Sequence, residues 1–252
     1  MLNVKNLSGG YGTSFLVTRI HFDLKPQENL FLIGPNGSGK TTLFKLILGL
    51  IDKNEGEISI DGKILNKPID SAHRVAYIPQ IHEQPFDYSV FEMVLMGRSS
   101  HINMFSNAST IDIKITENAI ALLGITHLRD KSFNKLSGGE MKMVLIARSI
   151  CQQAKIIVMD EPYANLDYKN QAQLSKAIHS LNKEGFSFII STHNVSHINI
   201  KSSVLLIKNG KQIHFGAAYD ILNNDTLTTL FETPMRINRI NSENGDVQFV
   251  CT

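Results

Sequence analysis

Gly34-Pro35-Asn36-Gly37-Ser38-Gly39-Lys40-Thr41 is the stretch that decides the fold. It fits the pattern G-x-x-x-x-G-K-[ST] at every position. An apolar run, Asn29-Leu30-Phe31-Leu32-Ile33, precedes it and reads as a buried strand. Thr42-Leu43-Phe44-Lys45-Leu46-Ile47-Leu48 follows with helical apolar spacing. Strand, glycine loop and helix are the context in which such a loop cradles phosphate. Its glycines let successive backbone N–H groups curl around phosphate oxygens without Cβ clashes. The helix N-terminus adds the positive end of a dipole. Lys40 is expected to reach the β- and γ-phosphates, and the Thr41 hydroxyl to ligate Mg²⁺. The competing reading is a glycine-rich turn with a chance lysine, and it leaves the flanking elements unexplained.

Working outward, Mg²⁺ needs a carboxylate. Ile156-Ile157-Val158-Met159 reads as a buried strand ending in Asp160-Glu161-Pro162. Ligands in open α/β sheets bind beyond the carboxyl ends of the strands. Asp160 is therefore the expected Mg²⁺ carboxylate, acting through water because Mg²⁺ sheds hydration reluctantly. Glu161, one residue on, is the natural base for an attacking water. Alone, this tripeptide could be an ordinary strand end and turn. The phosphate loop makes it specific.

Leu136-Ser137-Gly138-Gly139-Glu140 resembles the signature motif of ABC ATPases. Other matching positions occur in the expected order over about residues 1–220. Tyr11 resembles the adenine-stacking aromatic, and Gln80 in Tyr77-Ile78-Pro79-Gln80 looks like the Q-loop glutamine. Ala164-Asn165-Leu166-Asp167 looks like the D-loop, and His193 in Ser191-Thr192-His193 like the switch histidine. The resemblance implies that Tyr11 stacks on adenine, a contact worth roughly 1–3 kcal/mol. It implies that Gln80 ligates Mg²⁺ and senses the γ-phosphate, and that His193 hydrogen-bonds the γ-phosphate. The bland alternatives are a core or surface tyrosine and a structural histidine after an apolar strand.

The signature precedes an apolar helix, Met143-Val144-Leu145-Ile146-Ala147, and forms a second anion-binding helix N-terminus. In the family this site faces the γ-phosphate held by the other subunit. The resemblance thus implies a head-to-tail homodimer with ATP bound at the interface, each chain supplying half of each site. Two departures stand out. Glu140 replaces the commoner glutamine, and Met141 and Met143 stand where polar residues are usual. They could weaken contacts of the signature helix. Lys40, Asp160, Glu161 and His193 are all present, so hydrolysis is expected.

The expected fold class is α/β: a phosphate-loop NTPase core, an antiparallel β layer and an inserted α-helical lobe. Residues 2–25 and 55–65 alternate apolar and polar, which suggests the β layer. Residues of about 86–150 read as the helical lobe, and strand–helix alternation returns after about 155. One ATPase domain over 1–233 is expected, followed by a polar tail, 234–252, with no readable chemistry.

The chain has 252 residues, 42% of them hydrophobic, enough for a substantial core. Its 25 Lys and Arg against 23 Asp and Glu give a net charge of +2, which argues against a nucleic-acid partner. Lys142 and Arg148 are expected on solvated faces. Cys151 and Cys251 are the two cysteines; the first is expected to be a buried thiol, and no disulfide framework is implied. No apolar run approaches membrane-spanning length, and none reads as a signal peptide. The expected location is the cytoplasmic face of a prokaryotic cell membrane, peripheral through a transmembrane permease.

In ABC ATPases the helical lobe meets that permease. Phe86 and Tyr88 are candidate docking aromatics, with Arg98 nearby; local packing is the alternative. Ser89 to Arg98 resembles importers of metal chelates, including iron–siderophore, haem, cobalamin and molybdate systems. Such importers take substrate from a periplasmic or extracytoplasmic binding protein. Met93, Met96 and Met104 are expected to be fillers rather than a metal box. Manganese or zinc import is the alternative, and an exporter ATPase a more distant one. A soluble ATPase of DNA repair or translation would carry coiled-coil insertions or tandem domains, and this chain shows neither.

Overall fold

The computed structural model describes residues 1–12, 14–65, 68–80, 87–103, 106–241 and 247–251. In chain order the regular elements begin with β1 (Leu2–Tyr11), β2 (Ser14–Leu24), β3 (Asn29–Ile33) and α1 (Lys40–Ile47). Next come β4 (Lys53–Ile60), β5 (Lys63–Ile64), α2 (Pro68–Ala72), β6 (Val75–Ile78) and α3 (Val90–Leu95). α4 (Thr110–Leu122), α5 (Gly138–Cys151), β7 (Ile156–Met159), α6 (Tyr168–Lys183) and β8 (Ser187–Thr192) follow. β9 (Ser203–Lys208), β10 (Lys211–Ala217), α7 (Ala218–Ile221), α8 (Asn224–Phe231), β11 (Ile237–Asn241) and β12 (Val247–Cys251) complete the series. The chain divides into two compact units: Met1–Ser71 with Gly185–Thr252, and Ala72–Glu184.

In the first unit the strands run β5-β4-β1-β2-β10-β9-β3-β8. β1 pairs antiparallel with both β2 and β4, and this is the expected antiparallel layer. Leu2, Val4, Leu7, Val17, Ile20 and Phe22 are all buried, as one apolar face of an alternating pattern must be. β3 lies between β8 and β9, parallel to both. Its Leu30, Phe31, Leu32 and Ile33 are buried continuously, the mark of a strand covered on both faces. The tail, expected to be merely polar, forms the antiparallel pair β11 and β12, with Ile237 opposite Cys251.

In the second unit β6 and β7 pair in parallel. Helices α3, α4 and α5 form the lobe. α3 and α4 each begin with a capping box, Ser89 with Glu92 and Ser109 with Asp112. α5 is buried nearly all round: Met143, Val144, Leu145, Ile146, Ala147 and Cys151 lie in the core.

Several expectations need correcting here. Lys142 is not on a solvated face; it is 5% exposed. Arg148 is exposed, as expected. Arg98 is no docking residue: it is buried, its Nε donating to Asp112 Oδ1 at 2.9 Å. Its Nη1 donates to the Cys151 carbonyl at 3.0 Å and to Gln153 Oε1 at 2.8 Å. Arg98 ties the lobe together because a buried guanidinium must be satisfied by several acceptors. Tyr88 is half-buried, and its carbonyl accepts the Phe133 N–H at 2.8 Å. Phe86 and Met104 lie outside the described residues. Met93 is buried, as a core filler should be, and so is Cys151, whose thiol lies 3.3 Å from Thr116 Oγ1.

Candidate ATP site

In the first unit the phosphate loop leaves the carboxyl end of β3. Its helix, α1, begins at Lys40, with Gly39 in the left-handed region at φ 101°. Only glycine fits at position 34, because a Cβ there would sit 2.2 Å from the Ile207 carbonyl and 2.6 Å from Ser38 Oγ. Pro35 is half-buried, Asn36, Gly37 and Thr41 are exposed, and Thr42 is buried. Ser38 Oγ is a buried oxygen with no hydrogen-bond partner. Such a group costs free energy unless a ligand serves it. Lys40 Nζ donates to the carbonyls of Gly34 at 2.8 Å and Pro35 at 3.1 Å.

Ile33 pairs with Thr192, so the loop and His193 leave the sheet at one edge. His193 is exposed. Burial, and then the charge of His193, hold the nearby His197 below its ordinary pKa. Tyr11 ends β1 and is 48% exposed. Lys45 Nζ donates to its hydroxyl at 2.8 Å and lies 5.5 Å from the ring centroid. The ring is thus held yet open on one side. Lys45 escaped the sequence reading. Its place within the apolar-periodic stretch Thr42–Leu48 is the signal that it lies on the loop's helix.

In the second unit Ile78 pairs with Met159, which puts Gln80 and Asp160 at one edge of the β6–β7 pair. Asp160 is buried, and its N–H donates to the Ile78 carbonyl at 2.9 Å. Glu161 is half-buried at φ 49°, a strained conformation for a non-glycine residue and one that clusters at functional sites. Gln80 is exposed.

Ser137 caps α5 in a third capping box. Glu140 Oε2 accepts from Ser137 N–H at 2.8 Å and from Ser137 Oγ at 2.7 Å. These bonds hold the Glu140 carboxyl below its ordinary pKa. The expected anion-binding N-terminus therefore carries its own carboxylate. Gly138 is exposed, and a Cβ there meets nothing closer than 3.8 Å. Gly139 is buried against α6, where a Cβ would sit 2.3 Å from Asn170 Oδ1. Asp167 caps α6 by accepting the Asn170 N–H at 2.8 Å. The signature and D-loop are therefore neighbours through Asn170.

A family model for the ABC transporter matches residues 17–164. The chain belongs to the ABC transporter ATP-binding family. The molybdate import ATP-binding protein MolC of Haemophilus influenzae is 35% identical over 93% of this chain and 89% of its own. A probable iron chelatin transport ATP-binding protein of Helicobacter pylori is 34% identical over 93% and 94%. Among solved structures, a chain from an inward-facing metal-chelate type ABC transporter superposes with TM-score 0.87 at 31% identity, covering 100% of this chain and 97% of that one. This ABC ATPase binds ATP and hydrolyses it to power transport, working with a transmembrane permease. No helix of the described residues is long and apolar enough to cross a membrane itself.

Proposed function

We propose that this ABC ATPase drives import of a metal chelate or related oxyanion as a homodimer on the cytoplasmic face of a prokaryotic membrane. The observation that carries the reading is similarity over 93% of the chain to a molybdate import ATP-binding protein and to a probable iron chelatin transport ATP-binding protein. An extracytoplasmic binding protein delivers the substrate to the permease. Cargo passes through the permease, so no residue of this chain needs to recognise it.

Each residue then has a role. Tyr11 stacks on adenine. The Gly34–Thr42 loop holds the phosphates, with Lys40 on the β- and γ-oxygens. Thr41, Asp160 and Gln80 supply oxygen donors, the set that Mg²⁺ prefers. The orphaned Ser38 Oγ fits a loop built to receive a charged ligand. Mg²⁺ supplies charge neutralisation on the phosphates when bound. Glu161 accepts a proton from the attacking water, and His193 holds the γ-phosphate. Ser137, Gly138, Gly139, Glu140 and Asp167 complete the site of the opposite subunit.

The ATPase, reconstituted with its permease and binding protein in proteoliposomes, tests the direction. ATP on the ATPase side should drive molybdate or an iron chelate toward that side. ATP-driven efflux would contradict import. Manganese import is the second reading, favoured by 31% identity to a manganese transport ATP-binding protein of Synechocystis over 82% of this chain. Manganese uptake in the same vesicles separates the two.

A further inference from the structure

We propose that Lys45 is a positioning residue that aims the Tyr11 ring at adenine and ties this base platform to the helix of the phosphate loop. Tyr11 closes β1, where it pairs with Ser14 of β2. Gly9, two residues earlier, lets this end of β1 lie on α1. A Cβ at Gly9 would sit 2.5 Å from Leu46 Cδ2 and 3.3 Å from the Asp52 carbonyl oxygen. That close approach brings Lys45, the neighbour of Leu46, within reach of Tyr11. Lys45 Nζ donates to the Tyr11 hydroxyl at 2.8 Å. It lies 5.5 Å from the ring centroid, which puts the ammonium beyond the oxygen, at the ring's edge. It therefore covers neither face. A cation over a face would compete with a stacked base, whereas one bonded end-on holds the ring and leaves its faces to the base. Both residues belong to the first unit.

The lysine is itself well seated. Leu43, Phe44, Leu46 and Ile47 bury α1 in the core, and the Lys45 carbonyl accepts the Leu50 N–H at 2.8 Å. Lys45 lies about 7.5 Å along the helix axis from Lys40. One rigid element thus carries the lysine of the phosphate loop and the restraint on the base platform. Tyr11 is 48% exposed, so packing alone does not fix its torsions. A ring aimed before the nucleotide arrives spares the cost of ordering it on binding. Three bland alternatives compete: a surface hydrogen bond without consequence, a lysine that serves only the helix dipole from the last turn of α1, and a general attraction for phosphate.

This inference rests on Tyr11 being the adenine-stacking aromatic, and the test keeps the two apart. The full chain is titrated by calorimetry with ATP and with inorganic tripolyphosphate, a probe that lacks the base. Both titrations contain Mg²⁺ and about 0.15 M salt, which screens exposed charges. Lys45→Met keeps the stem and removes the donor; Tyr11→Phe keeps the ring and removes the acceptor. Lys45→Met should weaken ATP binding roughly threefold to tenfold and leave tripolyphosphate binding within about twofold. Tyr11→Phe should weaken ATP binding to the same degree. The double variant should lose no more than either single one, because the same hydrogen bond is missing in all three. Lys45→Arg should retain more ATP affinity than Lys45→Met. Unchanged ATP affinity in Lys45→Met, equal losses for ATP and tripolyphosphate, or additive losses in the double variant would overturn the proposal. Where tripolyphosphate binds too weakly to titrate, the double-variant cycle with ATP decides. The contact is also read without nucleotide, from the ζ-carbon resonances of the six tyrosines in a labelled chain. The resonance absent from Tyr11→Phe should shift in Lys45→Met, and an unmoved resonance would overturn the contact. Tyr11→Ala tests the underlying reading, and its ATP affinity should fall at least about fivefold. If that affinity stayed native, Tyr11 would not be the adenine platform, while the resonance would still read the Lys45 contact.

Discussion

Lys40 lies folded back on its own loop, bonded to the Gly34 and Pro35 carbonyls. In the proposed ATP site those neutral acceptors are exchanged for phosphate oxygens, and charge-assisted bonds are the stronger ones. Lys40→Ala should therefore weaken ATP binding by roughly tenfold to a hundredfold, the range for hydrogen bonds to charged groups. Titration calorimetry with ATP checks this, and an unchanged Kd would contradict it. The loop residues were legible because spacing alone specifies them. Asp160 stands out because it ends an apolar run, whereas Gln80 and His193 stand out only through resemblance to ABC ATPases, since a polar residue after a strand is usually structural. Lys142 and Arg98 were not legible. Both read as polar surface, yet whether a charge is buried depends on what packs against its helix, which a single sequence does not state.

At the scale of elements, three helices of the second unit begin with the same device, Ser followed three residues later by Glu or Asp. In α4 the device does more, because Asp112 also receives Arg98. Ser109 first, and then Arg98, hold the Asp112 carboxyl down at about 2, from an ordinary 3.8. The folded pKa is below the unfolded one. The stability that ionised Asp112 contributes is therefore complete above about pH 4 and is lost as pH falls toward 2. Asp112→Asn should lower Tm at neutral pH and flatten the loss between pH 4 and 2. Circular-dichroism melts across that range test this. A parallel acid limb in the variant would show that Asp112 is not its source. The layers were readable from period-2 alternation in β1 and β2 and from the unbroken apolar runs of β3, β7 and β8. The β11–β12 hairpin was missed because Asn238, Asn241, Asn244 and Gly245 mark the segment as polar. The alternation Val247, Phe249, Cys251 was the signal for it.

For the whole molecule, the central claim is that one chain holds two half-sites and that catalysis needs two chains. We propose that Lys40 serves the nucleotide bound by its own subunit, and Ser137 the nucleotide bound by the partner. Ser137→Arg should therefore leave ATP binding to the monomer within about twofold. Mixing Lys40→Ala with Ser137→Arg should restore at most one complete site per heterodimer. Loss of monomer binding in Ser137→Arg would contradict the division of labour. In the proposed mechanism ATP closes the pair, hydrolysis reopens it, and the permease turns that rigid-body movement into transport. The measurement that tests this account most directly is Glu161→Gln assayed for turnover and mass together. It keeps Lys40, Thr41 and Asp160, so ATP binding should persist. It removes the base, so kcat should fall by about 10²–10⁴-fold. An ATP-bound dimer should accumulate on size exclusion with light scattering. Near-native turnover, or a chain that stays monomeric with saturating MgATP, would contradict the account.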